Sequence, residues 1–545
     1  HQTEDRKLGT VNGRAAGSMI QSLRTSFRFA AGLQSFLSRT LSPGECRDLV
    51  TDRLHRRDQS FLHLVEGAIF RNDASPYRPL FRLAGVGLED VSRWVRQDGI
   101  EETLNHLYEK GVWVTLEEFK GRRALERPGL THPLAARDFD NPLITRHFSV
   151  QSGGSRGPRT LLFIDFDHIE HEAAQERLFL EAFDLISRPM AIWRPVPPGS
   201  AGLKAVLRRA KLGTRLARWF TQTRPSAAPS QFGYLGVTYL TCLSGRLWGR
   251  GTPFPQHVPL GRAATVARWL ADLCRAGEPA VLDTLVSSGV RACLAASDAG
   301  LDLRGTFFRL SGEPLTEAKG RVVAEAGSRA VCHYSMAEFG RLGLACASAE
   351  AIDDVHILAD KVAVIQQPRE TGGRRIPAFF LTSVHSSSPK IAINVESGDY
   401  GVLAERDCGC LMGRLGFRQH AHTIRSYEKL TTEGMHFLGG ELLNLLEEVL
   451  PQRFGGAPTD YQLLEMEDHG MTRLSLVVSP RVGAVDEARL VAHVLEALGR
   501  PAPGSKMMAE HWRQGATIHV VRRDPVTTRA SKIQPLHVPQ KGDAP

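Results

Sequence analysis

The chain has 545 residues, too many for one ordinary core, so two or more domains are expected. With 42% hydrophobic and 23% charged residues it has the composition of a globular protein, and no run of apolar residues is long enough to span a membrane. Lys and Arg exceed Asp and Glu by 9, but they are scattered and carry no RNA-binding or zinc-finger spacing, so nucleic acid is set aside in favour of a basic pocket for a polyanionic small molecule.

Eight cysteines are too few for a disulfide scaffold and suit a reduced, cytoplasmic setting. Arg14 to Ser38 is Arg-rich and amphipathic and reads as a packing helix, with a transit peptide or membrane-surface helix as the alternatives. Pro43 to Leu130 has a helical pattern, with apolar spacing in Glu89 to Gln97 and Gly99 to Lys110. Gly111 to Thr115 then reads as a strand and Glu117 to Gly121 as a polar turn. Gln151-Ser152-Gly153-Gly154-Ser155-Arg156-Gly157-Pro158-Arg159 has the makings of a phosphate cradle: glycines for close approach, hydroxyl donors and fixed positive charge. A solvated hairpin loop is the other reading of that stretch. Thr160 to Ile164 is the strand that follows it.

Asp167 to Ile186 reads as a Glu-rich helix, Arg194 to Ser200 as a Pro/Gly loop and Leu203 to Thr223 as a basic helix. The charges of that helix, Arg208, Arg209, Lys211, Arg215 and Arg218, are expected on a solvated face, with a nucleic-acid surface as the other reading. Tyr234 to Cys242 is a strand candidate, His257 a loop histidine, and Leu260 to Arg275 and Ala280 to Ser287 helices. Arg304 to Leu310 reads as a strand, turning at Ser311-Gly312-Glu313-Pro314-Leu315 into a helix from Thr316 to Ala326. Ala330 to Tyr334 is the next strand, breaking at Ser335 to Gly340. Strand, polar turn and helix, twice repeated, put functional loops at the strand ends of an α/β sheet. From about Ser426 the texture becomes compact α+β, with helices at Glu441 to Val449 and Glu487 to Leu498, and strands at Tyr461 to Glu465, Leu474 to Val478 and Thr517 to Val521. The domain division expected is a helical segment over 1–110, a core over 111–427 and a small domain over 428–545.

In this order the motifs resemble the adenylate-forming superfamily of acyl-CoA synthetases, in its phenylacetate-CoA ligase and acyl-protein synthetase branch. Ser152 to Pro158 is similar to the family's phosphate loop and Ser311 to Leu315 to its adenine-side loop. Tyr334-Ser335-Met336-Ala337-Glu338 resembles Tyr-Gly-x-Thr-Glu, and Ser397-Gly398-Asp399 resembles Thr-Gly-Asp. Arg425 sits where the family has a nucleotide-contacting Arg, Tyr427-Glu428-Lys429 aligns with its hinge, and Thr528 to Lys532 looks like its C-terminal Gly-Lys motif. The resemblance implies a large multi-sheet α/β domain with a small mobile α+β lid. It also implies a ligase that uses ATP and Mg²⁺ to adenylate a small-molecule acid, then passes the acyl group to the thiol of CoA or an acyl carrier protein. Glu338 would bind Mg²⁺, Asp399 the ribose, and Lys532 the α-phosphate and carboxylate. Departures are Arg156 and Arg159 for the usual Thr and Lys, Ser335 for Gly, Ala337 for Thr and Ser531 for Gly. An amine acceptor, a non-carboxylate acid or a catalytically silent nucleotide-binding partner protein are the alternatives.

Cys346, His356, Cys408 and Cys410 make a candidate Cys₃His tetrahedral zinc site, against buried unligated cysteines. Structural zinc in some members of the resembled branch favours the metal. The sequence lacks a Gly-x-Ser-x-Gly elbow, a Walker A lysine motif and His-Glu-x-x-His, which removes hydrolase, P-loop and zincin chemistries.

Overall fold

The computed structural model of the chain describes residues 28–151, 160–199, 201–224, 232–371, 374–427, 430–432, 435–437, 445–456, 460–468, 471–499, 503–526 and 536–537. Its largest sheet has twelve strands in two halves. Six run parallel: β1 (Met190–Trp193), β2 (Arg218–Thr221), β3 (Pro255–His257), β4 (Val281–Leu285), β5 (Phe307–Ser311) and β6 (Arg329–Met336), in the spatial order β3-β2-β1-β4-β5-β6. The others are β7 (Gly340–Ala345), β8 (Val355–Ile357), β9 (Val362–Thr371), β10 (Arg374–Ser383), β11 (Val395–Glu405) and β12 (Gln419–Ser426). They continue antiparallel from β6 in the order β7-β8-β12-β11-β10-β9.

The parallel half is covered on both faces. Its helices are α1 (Phe166–Ala182), α2 (Ala201–Lys211), α3 (Phe232–Leu247), α4 (Ala263–Arg275), α5 (Val286–Asp298) and α6 (Glu317–Glu325). Strand β1 is Met-Ala-Ile-Trp, buried at all four positions. Met190 and Ile192 enter a core with Leu178 and Phe179 of α1, while Ala191 and Trp193 enter another with Val266 and Leu270 of α4. A continuous apolar strand is what a two-sided sheet requires. Strand order reverses between β1 and β4, which opens a crevice at the C-terminal strand ends. The antiparallel half packs instead on the N-terminal helices: Phe61 and Leu64 of Arg57–Val65 and Leu104 and Leu107 of Leu88–Glu109 share a core with Val364, Phe380 and Val395. Residues 28–38 form a packing helix that buries Phe29, Leu33, Phe36 and Leu37 against Phe148, Ile164 and Phe166; Arg14 to Phe27 lie outside the described residues.

A second, smaller body is α+β, as its sequence texture suggests. Strands β13 (Tyr461–Asp468), β14 (Met471–Val478), β15 (Ile518–Arg522) and β16 (Leu536–His537) form a sheet. Helices α7 (Glu487–Gly499) and α8 (Pro503–Gln514) cover it, with Leu474, Leu476, Val494 and Trp512 in its core. Gln514 Oε1 accepts from Leu260 N (3.0 Å) and Gly515 O from Arg291 Nη2 (2.9 Å), bonds that join this body to the large one.

Four sequence expectations are corrected. Tyr234 to Cys242 lies in helix α3; an unbroken apolar run fits a buried strand or a helix equally, and Thr238 and Thr241 settle into the helix by donating to the carbonyls of Tyr234 and Val237 (2.8 Å each). Ala280 to Ser287 holds β4, with α5 starting only at Val286. Gly111 to Thr115 makes a single bridge, Val114 to Val395, because Thr115 caps the helix Leu116–Phe119. The basic helix stops at Lys211, where Gly213 at φ +65° turns the chain toward β2. Its Arg208, Arg209 and Lys211 are buried; Arg215 and Arg218, beyond it, are exposed.

Candidate functional site

The motif residues from Ser311 to Met336 gather at the C-terminal ends of β5 and β6, neighbours in parallel register. Ser311 closes β5, and its Oγ accepts from Arg194 Nη2 (2.7 Å), whose Nε donates to Asp283 (2.7 Å). Arg194, just past β1, thus ties the ends of β1, β4 and β5 together. Gly312 has φ +87°, open to glycine at little cost. Glu313 is buried and accepts from Ser287 through Oγ (2.7 Å) and N (3.2 Å), and Pro314 O accepts from Lys319 Nζ (3.3 Å). These contacts anchor the loop from Ser311 to Leu315 to α5 and α6.

Strand β6 bulges between Tyr334 and Ser335, leaving Ser335 exposed and Met336 paired with Gly340. Tyr334 Oη donates to Asp399 Oδ2 (2.9 Å), which joins two motifs far apart in sequence. Burial, and then the Asp399 carboxylate, push the Tyr334 hydroxyl well above its ordinary range, so it stays a donor. Gly398 at φ +78° and the bond from Asp399 N to Ser397 Oγ (3.0 Å) shape the acidic turn in β11. Asp399 pairs with Ser426 across β12, one position from Arg425 opposite Tyr400. Arg425 Nη1 donates to Asp353 Oδ2 (2.9 Å), and Tyr427 Oη to Glu396 Oε1 (2.5 Å). Ser152, Gly153, Gly154, Ser155, Arg156 and Gly157, with Glu428, Lys429 and Lys532, lie outside the described residues. The glycine loop is bracketed by paired strands, Phe148–Gln151 and Leu161–Ile164, with Gln151 opposite Leu161.

Glu338, 2% exposed, is ion-paired with Lys120 from the end of the short helix Leu116–Phe119. Burial acts to raise its carboxyl, but the Lys120 ammonium outweighs that and holds it below the ordinary range. Lys120 was hidden in what reads as a polar turn; only the packing of Phe119 into the core brings it to Glu338.

The charged residues of α1 and α2 meet inside the core below these loops. Glu176 Oε2 accepts from Arg208 Nε (2.8 Å) and Arg341 Nη2 (2.7 Å), with Arg309 Nη1 at 3.1 Å from Oε1. Burial works against the Glu176 anion, yet Arg309, Arg341 and Arg208 together hold it well below the carboxylate range. Lys204, also buried, is lowered to about 8, by burial first.

Cys346, His356, Cys408 and Cys410 do converge. His356 Nε2 lies 3.1 Å from Cys410 Sγ and 3.7 Å from Cys408 Sγ, and ligand atoms of Cys346, His356, Cys408 and His420 lie within 4.8 Å of one another. Donors around tetrahedral zinc stand about 3.5 Å apart, so the set fits that ion. His356 Nδ1 donates to Phe417 O (2.8 Å), which leaves Nε2 as the lone-pair nitrogen facing the thiols. His420, missed in the sequence, is oriented by Asp354 at 2.9 Å from its Nδ1, and its buried Nε2 has no hydrogen-bond partner. Its signal was a histidine alternating with Ala421 on a β-strand beside His356, legible only once β8 and β12 pair.

No family model and no curated protein matches the sequence. Among solved structures, 2-hydroxyisobutyryl-CoA ligase in complex with 2-HIB-AMP and CoA, in its thioesterification state, superposes over 92% of this chain and 91% of its own, at 16% identity and TM-score 0.52. The same ligase in its postadenylation state gives 15% identity and TM-score 0.41 over 92% and 91%. MatB of Rhodopseudomonas palustris with ATP bound gives 13% identity and TM-score 0.31 over 74% and 68%. With its twelve-stranded sheet and small α+β body, the chain shares its fold with that 2-hydroxyisobutyryl-CoA ligase in its thioesterification state.

Proposed function

We propose that the protein adenylates a carboxylic acid with ATP and transfers the acyl group to a thiol of CoA or a carrier protein. The observation that carries this reading is the Tyr334 to Asp399 hydrogen bond, which joins the Tyr334 to Glu338 and Ser397 to Asp399 stretches beside the Ser311 to Pro314 loop. A carboxylate oxygen attacks the α-phosphorus, the bond to pyrophosphate breaks, and the acyl-AMP is then attacked at its acyl carbon by the thiolate, with AMP leaving. Catalysis of this kind is positioning and charge neutralisation. Asp399, oriented by Tyr334, would accept from the ribose hydroxyls, and the 311–314 loop would flank the base. Ser152 to Gly157 would hold the outer phosphates with amides, hydroxyls and the Arg156 charge, Arg425 would approach the nucleotide from β12, and Lys532 would meet the α-phosphate. The small domain over 428–545 would swing about Tyr427 to Lys429 to bring Lys532 in. Mg²⁺ would accompany ATP, but at Glu338 the carboxylate is already neutralised by Lys120, so the residues there do not fit a cation.

Zinc fits the Cys/His cluster. Cys346, His356, Cys408 and Cys410 would hold it, with His420 Nε2 as a neighbouring fifth donor, and its role would be to pin the loop before β8 to the turn after β11.

The test is acid-dependent exchange of pyrophosphate into ATP across a broad panel of acids. Activity with some acid should fall about 10²–10³-fold in Lys532→Ala, the cost of removing one charge-stabilising contact. Absence of exchange with every acid, despite ATP binding, would sink the reading.

A further inference from the structure

Helix α3 has two unlike faces. Thr238, Thr241, Cys242 and Gly245 are buried, and Val237 packs against the same cluster as Ala337, beside Glu338. The opposite face carries Tyr239, Leu240, Leu243 and Leu247, with Trp248 next after the helix, exposed by 40%, 38%, 52%, 88% and 40%. These are five of the nine large hydrophobic side chains exposed among the described residues, and they form one stripe at helical spacing. Single exposed leucines need no explanation; a contiguous stripe does.

The charge around the stripe is one-sided. From Leu185 to Ala271 the sequence has thirteen Lys and Arg and not one Asp or Glu. Several of those cations are buried in the core, but Arg246 within the stripe and Arg215 and Arg218 beyond α2 are exposed. Arg215 lies against the turn that follows: a Cβ on Gly251 would stand 2.9 Å from its Cγ. Arg246 stacks over Phe254 with its guanidinium 4.3 Å from the ring centre, a rigid placement beside the leucines.

We propose that this face docks the protein on an anionic lipid surface. Leucines at the centre, the amphipathic rings of Tyr239 and Trp248 at the two ends of the stripe, and arginines with no acidic residue in their stretch of sequence match the headgroup boundary of a bilayer. The shape favours lipid over a protein partner. Leu247 stands almost fully clear of the molecule, so a protein would need a pocket cut to receive it, while fluid acyl chains close around it. No helix among the described residues is long and apolar enough to cross a membrane, so the association is peripheral.

The experiment is sedimentation of the full chain with vesicles of about one third phosphatidylglycerol in phosphatidylcholine, against pure phosphatidylcholine, at about 0.1 M and about 0.5 M salt. Binding to the anionic vesicles is expected, weakened by salt and reduced about tenfold or more in the double variant Leu243→Asp with Leu247→Asp, as loss of two inserted side chains implies. Arg215→Gln with Arg246→Gln should lower binding to the anionic vesicles alone. Brominated lipid should quench part of the tryptophan emission in the natural protein and not that part in Trp248→Phe, a readout that holds even where a charged variant folds poorly. Vesicle binding absent, or present and unchanged in the α3 variants, overturns the proposal. So does a wild-type dimer made monomeric by the same variants, or tight binding of an acidic acyl carrier protein that these variants abolish while vesicles do not bind. The proposal does not rest on adenylation: vesicle binding and pyrophosphate exchange can fail separately.

Discussion

The two halves of the main sheet hold together by different means. The antiparallel half is closed by hydrocarbon, with Phe61, Leu104, Val364 and Phe380 sharing one core. In the parallel half, α1 and α2 place Glu172, Glu176, Arg208 and Arg209 in the interior, where Arg309 and Arg341 from the sheet and Lys361 from the turn before β9 join them. Each of these ions gives up several kcal/mol of hydration on burial, so the network is stable only as a complete set. A charge-rich helix is therefore no guide to a wet surface; what decides is whether its neighbour brings the opposite charge.

The sharpest way to break the comparison is Glu176→Gln. Four arginines, Arg208, Arg209, Arg309 and Arg341, would lose a shared anion in a dry site, and about 3–5 kcal/mol of stability should go with it. Asp272→Asn, at an exposed pair with Arg275, should cost less than about 1 kcal/mol. Equal losses in urea unfolding at the two sites would mean that burial adds nothing to the cost of breaking the network. A smaller effect is expected at the Cys/His cluster, where the antiparallel half has its own polar insert. Purified protein should contain zinc at one per chain. Cys410→Ala should abolish that stoichiometry, while His420→Ala, which removes the neighbouring donor, should weaken retention against a chelator about 10–100-fold. Metal-free, fully folded protein by elemental analysis would remove the zinc proposal.

What was legible followed from locality. Ser311 to Leu315, Tyr334 to Glu338 and Ser397 to Asp399 each show their turn chemistry in a few adjacent residues, and the small α+β body shows its strands and helix by period alone. The Cys/His quartet was visible because three of its members are thiols, which stand out by chemistry. The contacts that complete these sites were not legible, because they come from pairing across long stretches of chain. Lys120 meets Glu338 across 218 positions, and Arg194 meets Ser311 across 117. His420 joins the cluster only through the register of β8 with β12. The α3 run was misread for a different reason: its composition is β-like, and two threonines that bond back to their own helix outweigh that preference.

The smallest expected effect reads the buried network through pH. His168 sits on α1 one turn from Glu172, 3.3 Å away, against the start of β7. Burial, and then the Lys361 charge, lower its imidazolium to about 3 despite the pull of Glu172. In the unfolded chain it titrates near about 6.5. Between those values the unfolded state holds a proton that the native state refuses, so stability falls as pH falls and the contribution is complete above about 6.5. His168→Gln should flatten the acid limb of the stability curve by up to about 1.4 kcal/mol per pH unit across that window, leaving the limb above it unchanged. His171, lowered to about 4 by burial and then Arg53, should still supply part of the slope, because its bond to Asp360 (2.5 Å) is independent of His168. Parallel curves for the natural protein and His168→Gln in urea titrations from neutral to acid pH would mean that His168 takes up its proton without unfolding, and that the parallel half is wetter at α1 than its packing implies.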